Sequence, residues 1–195
     1  MANSSYDDIL RTASRLFQER GYAGTSVRLI AEQSGIGKAT IYHHFQDKEA
    51  IVSKLIEQSI DGFNSLISDL YEIEDSRSRL IAALEKTIDF LDKVAAVFQI
   101  VRRELPLLWI EIKVLLVPYY TRYISLLSES IEQGVASGIF RPIPPELAAS
   151  VLLNLIQGAH GSLSISAKNQ DSIHVSIQSM IDIYFNGIVN HTANL

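Results

Sequence analysis

The sequence predicts an all-α protein, in which a small N-terminal head precedes a larger helical body. Hydrophobic residues recur with a period of about 3.6 along nearly the whole chain, which is the period of an α-helix. No segment shows the sustained alternation and β-branched enrichment that are typical of a strand. The 10 glycines and 5 prolines in 195 residues fall mostly where the helical pattern stops. We therefore expect about nine helices.

Start and stop signals divide the first part of the chain into four helices. Ser4 or Ser5 is expected to cap the first, and Gly21 to end it. Asp47 is expected to cap the fourth, whose end is blurred between residues 71 and 75. The predicted segments are about Ser5–Arg20, a short helix that Thr25 or Ser26 caps and Gly35-Ile36-Gly37 breaks, about Lys38–Phe45, and a longer helix from Asp47.

The remaining residues predict five body helices. Pro118 is expected to bend the longest of them and Gly138 to end it, while Pro145 suits a first helical position. We place the domain boundary between a small head, residues 1–47, and a larger helical body, residues 48–195. The body segments are about Ser76–Asp92, Val94–Leu105, 106–137, Pro145–Ser164 and Ser172–Asn190.

Charge is distributed unevenly between the two parts. The chain carries a net charge of −5, with a pI near 5.5, yet residues 1–55 hold one net positive charge and the rest −6. A nucleic-acid-binding protein needs positive charge only where it meets phosphate, so this balance suits an N-terminal DNA reader on an acidic body. Cysteine is absent, which excludes disulfides and thiolate metal sites.

Nothing in the sequence predicts a membrane or secretory segment. The N-terminus is polar and acidic, unlike a secretory signal. The most apolar stretch, residues 105–127, carries Glu111, Lys113, Pro118 and Arg122, whereas a bilayer span needs about 20 largely apolar residues. We expect a soluble, cytoplasmic protein.

Residues 25–45 have the organisation of a helix-turn-helix. Two short helices are joined by a tight turn, and in such a unit the second helix enters the major groove of DNA. Ile41 and Phe45, four residues apart, are expected to anchor that helix to the head. Its outward side is expected to carry Lys38, Ala39, Thr40, Tyr42 and His43.

Other residues of the head suit close approach to DNA. Gly37 and Ala39 lack bulk, which permits contact with base edges and thymine methyl groups. Hydroxyl, guanidinium and ammonium groups at helix starts can hold phosphate, and the candidates are Thr25, Ser26, Arg28 and Lys48.

These positions together resemble the DNA-binding signature of the TetR (tetracycline-repressor) family. The resemblance implies a homodimeric, helix-turn-helix transcriptional regulator in which Tyr42 and Lys48 contact the DNA backbone, whereas His43 stands at a variable position. A second, shorter match is Gly134-x-x-x-Gly138-Ile139-Phe140-Arg141 ahead of Glu146-Leu147-Ala148-Ala149. The signature is Ile9-Leu10-x-x-Ala13-x-x-Leu16-Phe17-x-x-x-Gly21-Tyr22-x-x-Thr25-Ser26-Val27-Arg28-x-Ile30-Ala31-x-x-Ser34-Gly35-Ile36-Gly37-Lys38-Ala39-Thr40-Ile41-Tyr42-x-His44-Phe45-x-x-Lys48-Glu49.

Simpler interpretations stand beside these. On spacing alone, residues 25–45 also fit an ordinary helical hairpin. His43 and His44 could suggest a metal site, but adjacent histidines point about 100° apart on a helix, and local packing explains His44 better. We expect no catalytic residues, no metal and no cofactor.

The body offers candidate ligand-binding residues. Arg103 could reach a ligand carboxylate, although its neighbours Arg102 and Glu104 also fit a solvated helix face. Trp109, Tyr120 and Tyr123 belong to a stripe at helical spacing, which serves a core as readily as a cavity. The candidate ligand-binding residues are therefore Arg103, Trp109, Tyr120 and Tyr123.

The penultimate helix is apolar around most of its circumference and must be covered on two sides. A second copy of the chain would cover the outer side, joined by residues of the last helix: Ile173, Ile177, Met180, Ile181, Tyr184 and Ile188. We predict a homodimer through the last two helices, which would present two recognition helices to a palindromic duplex at a spacing of roughly 34–36 Å.

Three hypotheses remain open for the function. The first is a repressor that a small, apolar or amphipathic ligand releases from DNA by favouring a non-binding arrangement of the dimer. The second is a DNA-binding protein without small-molecule control, which predicts a solidly packed body. The third, a di-metal bundle enzyme, is weak because the chain lacks the repeated Glu-x-x-His pairs that such sites use.

Overall fold

The protein is all-α, as the sequence predicts. The computed structural model describes residues 2–166 and 179–186, with side chains for residues 5–158 and 179–186. These ranges contain eight helices: α1 (Ala2–Arg20), α2 (Val27–Ser34), α3 (Lys38–His44), α4 (Lys48–Tyr71), α5 (Ser76–Glu104), α6 (Pro106–Ala136), α7 (Pro145–Ser166) and α8 (179–186). None of the helices described is long and apolar enough to cross a bilayer.

The chain divides into two compact units. Unit 1 comprises Met1–Gly62 and Lys93–Leu116, and unit 2 comprises Phe63–Asp92 and Val117–Leu195. Unit 1 therefore holds the helix-turn-helix together with the C-terminal part of α5 and the N-terminal part of α6. The predicted boundary at residues 47 and 48 is a division by function, and it stays a prediction.

The glycine stops and two of the caps are confirmed. Gly21, Gly35 and Gly138 have φ values of 73°, 69° and 75°, the left-handed conformation that ends a helix. Ser26 caps α2, and Asp47 accepts a hydrogen bond of 2.8 Å from the backbone N–H of Ala50 at the start of α4.

The start of α1 was predicted too late. The helix begins at Ala2, so Ser4 and Ser5 lie within it and are not its N-cap. Serine is tolerated inside a helix, although it also favours caps, and a cap-forming residue alone does not fix where a helix begins.

The predicted break between Asp92 and Val94 was wrong. The structure runs the two expected helices together as α5, a single helix of 29 residues that ends just before Pro106 begins α6. The segment around Lys93 contains neither glycine nor proline, so nothing interrupts the ladder of backbone hydrogen bonds. This fusion is why eight helices are described where about nine were expected.

Unit 2 packs around one hydrophobic core. Its largest buried side chains include Tyr123, Phe140 and Phe185, joined by aliphatic residues of α4 to α8. The guanidinium of Arg79 is buried, and it donates to the carbonyl of Ile73 at 2.7 Å and to two acceptors on α6. These bonds tie the α4–α5 turn to α6 within the unit.

Candidate DNA-binding site

The two helices of the predicted helix-turn-helix are fixed by local backbone geometry. The hydroxyl of Ser26 accepts the backbone N–H of Leu29 at 3.1 Å, which starts α2. At the other end, Gly35 adopts its left-handed φ and the N–H of Ile36 reaches the carbonyl of Ala31 at 3.2 Å. The chain then turns sharply at Gly37, which is the N-cap of α3.

The short helix α3 has one buried and one exposed side, as predicted. Ile41 is 0% exposed and Phe45, which follows the helix, is 5% exposed, so they anchor it to unit 1. A Cβ added at Gly37 would meet only the Thr40 hydroxyl, at 3.8 Å, so the N-terminal end of α3 is open. The exposed residues are Gly37, Lys38, Ala39, Thr40, Tyr42 and His43.

Aromatic contacts organise the end of α3. The ammonium of Lys38 lies 5.5 Å from the centre of the Tyr42 ring, one helical turn along the exposed side. On the inner side, the ring of Tyr6 from α1 stacks on Phe45 and meets His44 edge-on, with ring centres 5.1 Å and 5.5 Å apart. His44 therefore packs within the head, whereas His43 is exposed.

The structure does not present Thr25 to a phosphate. Its side chain is 1% exposed, and its hydroxyl donates to the carbonyls of Leu16 and Gly21 at 3.1 Å and 2.9 Å. The prediction for this hydroxyl was therefore wrong, because both the burial and the bonds commit it to the end of α1. Ser26 and Arg28, the next two candidates, are exposed.

Lys48 is held against the loop between α1 and α2. Its ammonium donates to the carbonyls of Tyr22 and Thr25 at 2.5 Å and 2.7 Å, and it lies 3.8 Å from the centre of the Tyr22 ring. Burial lowers the pKa of Lys48, and the nearby carboxylate of Glu104 opposes that shift. An ammonium has three donors, so the predicted contact with phosphate can coexist with these two bonds.

The sequence reasoning missed Glu104, the last residue of α5. Its carboxylate accepts the backbone N–H groups of Tyr22 and Ala23 at 3.3 Å and 2.8 Å. Hydrogen bonding from Ala23 is the main reason that its pKa lies below the usual range, with Arg103 adding to the effect. A lone glutamate after two arginines carries no sequence signal for this contact, which joins residues 81 and 82 positions apart.

Comparison with known proteins assigns this head to a family. Residues 9–55 match the family described as bacterial regulatory proteins, tetR family. The repressor KstR2 of Rhodococcus jostii (strain RHA1), described as an HTH-type transcriptional repressor, is 31% identical over 154 residues, which cover 72% of this chain and 71% of KstR2. This chain belongs to the tetR family.

Solved structures of other regulators are similar to this chain over nearly its whole length. A transcriptional regulator from Saccharomonospora viridis, in complex with choline, has a TM-score of 0.77 and 28% identity, covering 97% of this chain and all of that one. AibR in complex with isovaleryl coenzyme A and operator DNA has a TM-score of 0.68 and 26% identity, covering 93% and 98%. The chain is a DNA-binding transcriptional regulator, and the regulators of its family are dimers.

The four candidate ligand-binding residues have different environments in this tetR-family protein. In unit 1, the side chain of Arg103 is 76% exposed and pairs with Glu104 at 3.0 Å, while Trp109 is half-buried and meets Phe98 edge-on with ring centres 6.3 Å apart. In unit 2, Tyr120 is 52% exposed, whereas Tyr123 is 1% exposed.

The environment of Tyr123 is that of a core residue. Its hydroxyl shares a hydrogen bond of 2.7 Å with Thr87 and donates to the carbonyl of Ala83 at 3.1 Å. Phe63 packs edge-on against its ring, with centres 5.4 Å apart. Tyr123 therefore occupies a core position, where its hydroxyl already has its partners, and its contact with a ligand stays a prediction.

Unit 1 has a surface pocket that none of the candidate ligand-binding residues lines. It has a volume of about 430 Å³ and is formed by side chains of α1 and α4, among them Leu10, Arg11, Arg15 and Leu55. Both arginines form ion pairs within α1, at 2.7 Å with Asp8 and 3.2 Å with Glu19. None of the four candidate ligand-binding residues lines this pocket.

Part of the predicted dimer surface is exposed in unit 2. On α7, Leu147 is 60% and Val151 46% exposed, while Ala148 and Leu152 face the core at 2% and 0%. On α8, Ile183 is 69% exposed, and the hydroxyl of Tyr184 donates to the carbonyl of Ala148 at 3.0 Å. Of the candidates on the last helix, Ile181 and Tyr184 are buried in the core of unit 2, at 6% and 5% exposed, and Met180 is half-buried. The other three, Ile173, Ile177 and Ile188, lie outside the described residues.

Proposed function

We propose that this protein is a sequence-specific repressor, which binds a palindromic operator as a homodimer and is released by a small apolar or amphipathic ligand. The observation that carries the proposal is the outward side of α3, where Lys38, Ala39, Thr40 and Tyr42 are exposed around two buried anchors. In helix-turn-helix proteins the N-terminal part of this helix reads base edges in the major groove. The proposal places the protein with chromosomal DNA in the cytoplasm and includes no catalytic step.

The exposed groups divide into two roles in the proposed complex. Thr40 and Ala39 stand where they can meet base edges and thymine methyl groups, since the helix start is open. Tyr42, Arg28 and Ser26, which are exposed, suit contacts with phosphate, and such contacts position the head without reading sequence. Lys38 supplies positive charge at the same surface, so binding should weaken as salt rises.

Ligand control is supported by relatives. AibR has been solved with isovaleryl coenzyme A as well as operator DNA, and the regulator from Saccharomonospora viridis with choline. A ligand acts on an equilibrium only through its different affinity for the two states, so the proposed ligand must prefer the arrangement that does not bind DNA. Control without a ligand remains the second candidate, and it is favoured by the closely packed, fully bonded surroundings of Tyr123.

Selection of DNA by the purified full chain tests the proposal. A randomised duplex library is enriched on the wild-type protein, and the affinity for the enriched duplex is followed by fluorescence anisotropy at several salt concentrations. We expect a two-fold symmetric consensus and a logarithmic affinity that falls linearly with the logarithm of salt. Absence of enrichment, together with absence of salt-dependent binding to any duplex, would overturn the proposed function.

The same complex separates the two candidate modes of control. Isovaleryl coenzyme A, a longer acyl coenzyme A and choline are added to the protein bound to its enriched duplex. Release by one of them, at a concentration that leaves the duplex alone unaffected, supports ligand control and identifies the class. An unchanged affinity with all three favours DNA binding without control by these ligand classes.

A further inference from the structure

The carboxylate of Glu104 is placed to hold a turn of the DNA-binding head. Its side chain is 17% exposed, although glutamate at the end of a helix is ordinarily solvated. The two carboxylate oxygens accept different backbone N–H groups, those of Tyr22 and Ala23. The guanidinium of Arg103 lies on the outer side of the carboxylate at 3.0 Å.

The same turn is held from its carbonyl side by Lys48. Its ammonium group accepts no hydrogen bond and donates to the carbonyls of Tyr22 and Thr25. The carboxylate of Glu104 thus accepts hydrogen bonds from N–H groups of the turn, and the ammonium group of Lys48 donates to its carbonyl groups. Hydrogen bonds to charged groups are stronger than those between neutral groups. These four contacts therefore hold the turn more firmly than contacts with neutral side chains would.

Gly21 shows that the carboxylate and the turn fit closely. Its φ of +73° is one that side chains rarely adopt, and an added Cβ would lie 3.2 Å from Oε1 of Glu104. The N–H of Gly21 closes α1 by reaching the carbonyl of Phe17 at 2.9 Å. Glu104 therefore lies directly against the point where α1 ends.

The turn also determines where α2 begins. Thr25 is buried, and the next residue, Ser26, is the N-cap of α2. Since α2 begins at the following residue, the placement of the first helix of the helix-turn-helix depends on the turn that Glu104 and Lys48 hold. Arg28 and Ser26, which we assign to the phosphate contacts that set the register of the head on the duplex, move with it.

We propose that Glu104 is a positioning residue for DNA binding, which fixes the turn at Tyr22 and Ala23 and thereby the start of α2 against the end of α5. It contacts no DNA itself. The inference rests on the proposed function, because positioning matters only if the head binds DNA. The alternative is an exposed ion pair with Arg103, and such pairs contribute little. That alternative predicts no effect on the two backbone amides.

Amide hydrogen exchange of the full chain tests the anchoring without any DNA. In the wild-type protein the amides of Tyr22 and Ala23 should be protected. Glu104→Gln replaces one of the two acceptor oxygens by an NH₂ group, and Glu104→Ala removes both oxygens. The exchange rate of the Tyr22 and Ala23 amides should therefore be higher in Glu104→Gln than in wild type, and highest in Glu104→Ala. Glu111→Gln, a change at an exposed glutamate of α6, serves as the matched control and should leave both amides unchanged.

Binding to DNA tests the positioning. We expect Glu104→Ala to bind the enriched duplex about tenfold more weakly than wild type, with Glu104→Gln between them, while a scrambled duplex of equal length is bound within about twofold of wild type.

Unchanged amide protection in Glu104→Gln, or an unchanged preference for the enriched duplex, overturns the inference. If the wild type binds no DNA, the proposed function fails and positioning fails with it, whereas the exchange measurement still decides whether Glu104 anchors the turn. Should Glu104→Ala fail to fold, the nearly isosteric Glu104→Gln decides both readouts.

Discussion

The DNA-binding head and the body of this regulator differ in how they use their tyrosines. Tyr42 on α3 is 49% exposed, with Lys38 beside its ring, and its hydroxyl is available to a partner. Tyr123 on α6 is 1% exposed, and its hydroxyl is hydrogen-bonded to the Thr87 hydroxyl and the Ala83 carbonyl. Both were predicted to contact a partner, and the structure leaves only Tyr42 able to do so without rearrangement.

These two tyrosines were selected from different kinds of sequence pattern. Tyr42 was singled out within a signature of many residues at fixed spacing, where anchors, turn glycines and exposed groups support one another. Tyr123 was singled out from an aromatic stripe at helical spacing, and such a stripe fits a packed core and a ligand cavity equally. The spacing of residues along one helix predicts which face of the helix each residue occupies, but it does not predict what packs against that face.

The largest effect is expected from a charge at the dimer surface of the body. Val151 is exposed in the single chain, so Val151→Glu should leave the fold intact but place a carboxylate in the interface, where no partner compensates it. Loss of the second head removes the avidity of a two-site contact, and operator affinity should fall by about a hundredfold. Sedimentation and anisotropy measure the two effects, with Ser125→Glu on α6 as a control; a dimer that survives Val151→Glu would place the interface elsewhere.

Removing the hydroxyl oxygen from each tyrosine should affect DNA binding in one case and stability in the other. Tyr42→Phe should weaken operator binding by about threefold to tenfold and leave the thermal midpoint unchanged, because the hydroxyl is exposed. Tyr123→Phe should do the reverse and lower the free energy of unfolding by about 1–2 kcal/mol, because the Thr87 hydroxyl loses a buried partner. Anisotropy and thermal melting on both variants test this, and identical behaviour of the two would contradict the distinction.

The two lysines of the head should differ in salt dependence and stability. Lys38→Ala and Lys48→Ala should each reduce the slope of logarithmic affinity against logarithmic salt by about one, if each ammonium neutralises one phosphate. Lys48→Ala should in addition lower the thermal midpoint, because it frees the carbonyls of Tyr22 and Thr25. An unchanged slope for Lys48→Ala would restrict that residue to its internal bonds.

The smallest effect is a dependence of stability on pH through Glu104. Its pKa is lowered in the folded protein, so it contributes stability above its unfolded pKa of about 4.3, and that contribution is lost as the pH falls through the folded pKa. The thermal midpoint of wild type should therefore exceed that of Glu104→Gln at pH 7, and the difference should shrink below about pH 4. A difference that stays constant from pH 7 to pH 3 would show that ionisation of Glu104 plays no part.

The sequence predicted those parts of the molecule that depend on local signals. The all-α class, the caps at Ser26 and Asp47 and the stop at Gly21 follow from residue types acting on their own backbone. Burial of Ile41 and Phe45 follows from spacing within one short helix. The start of α1 and the continuous α5 were missed because weak helix formers do not end a helix whose backbone ladder continues.

The candidate site was predicted only where its side chains act alone. Exposure of Lys38, Thr40 and Tyr42 was anticipated, whereas burial of Thr25 and the contact of Glu104 with the Tyr22 turn were not. Both of these depend on atoms brought together by the fold. A threonine that can cap a helix can equally donate to carbonyls beneath it, and sequence does not distinguish the two uses.

Cleavage of DNA from a probe on α3 shows whether this helix enters the major groove of the operator. The chain has no cysteine, so Ala39→Cys provides a single attachment point for an iron chelate at the exposed start of the helix. On the enriched duplex we predict cleavage at two major-groove positions related by two-fold symmetry and separated by about one helical turn or a little more. The same chelate on Glu111→Cys should give no localised cleavage, and an Ala39→Cys protein that binds the duplex without cleaving it at these positions would contradict the account.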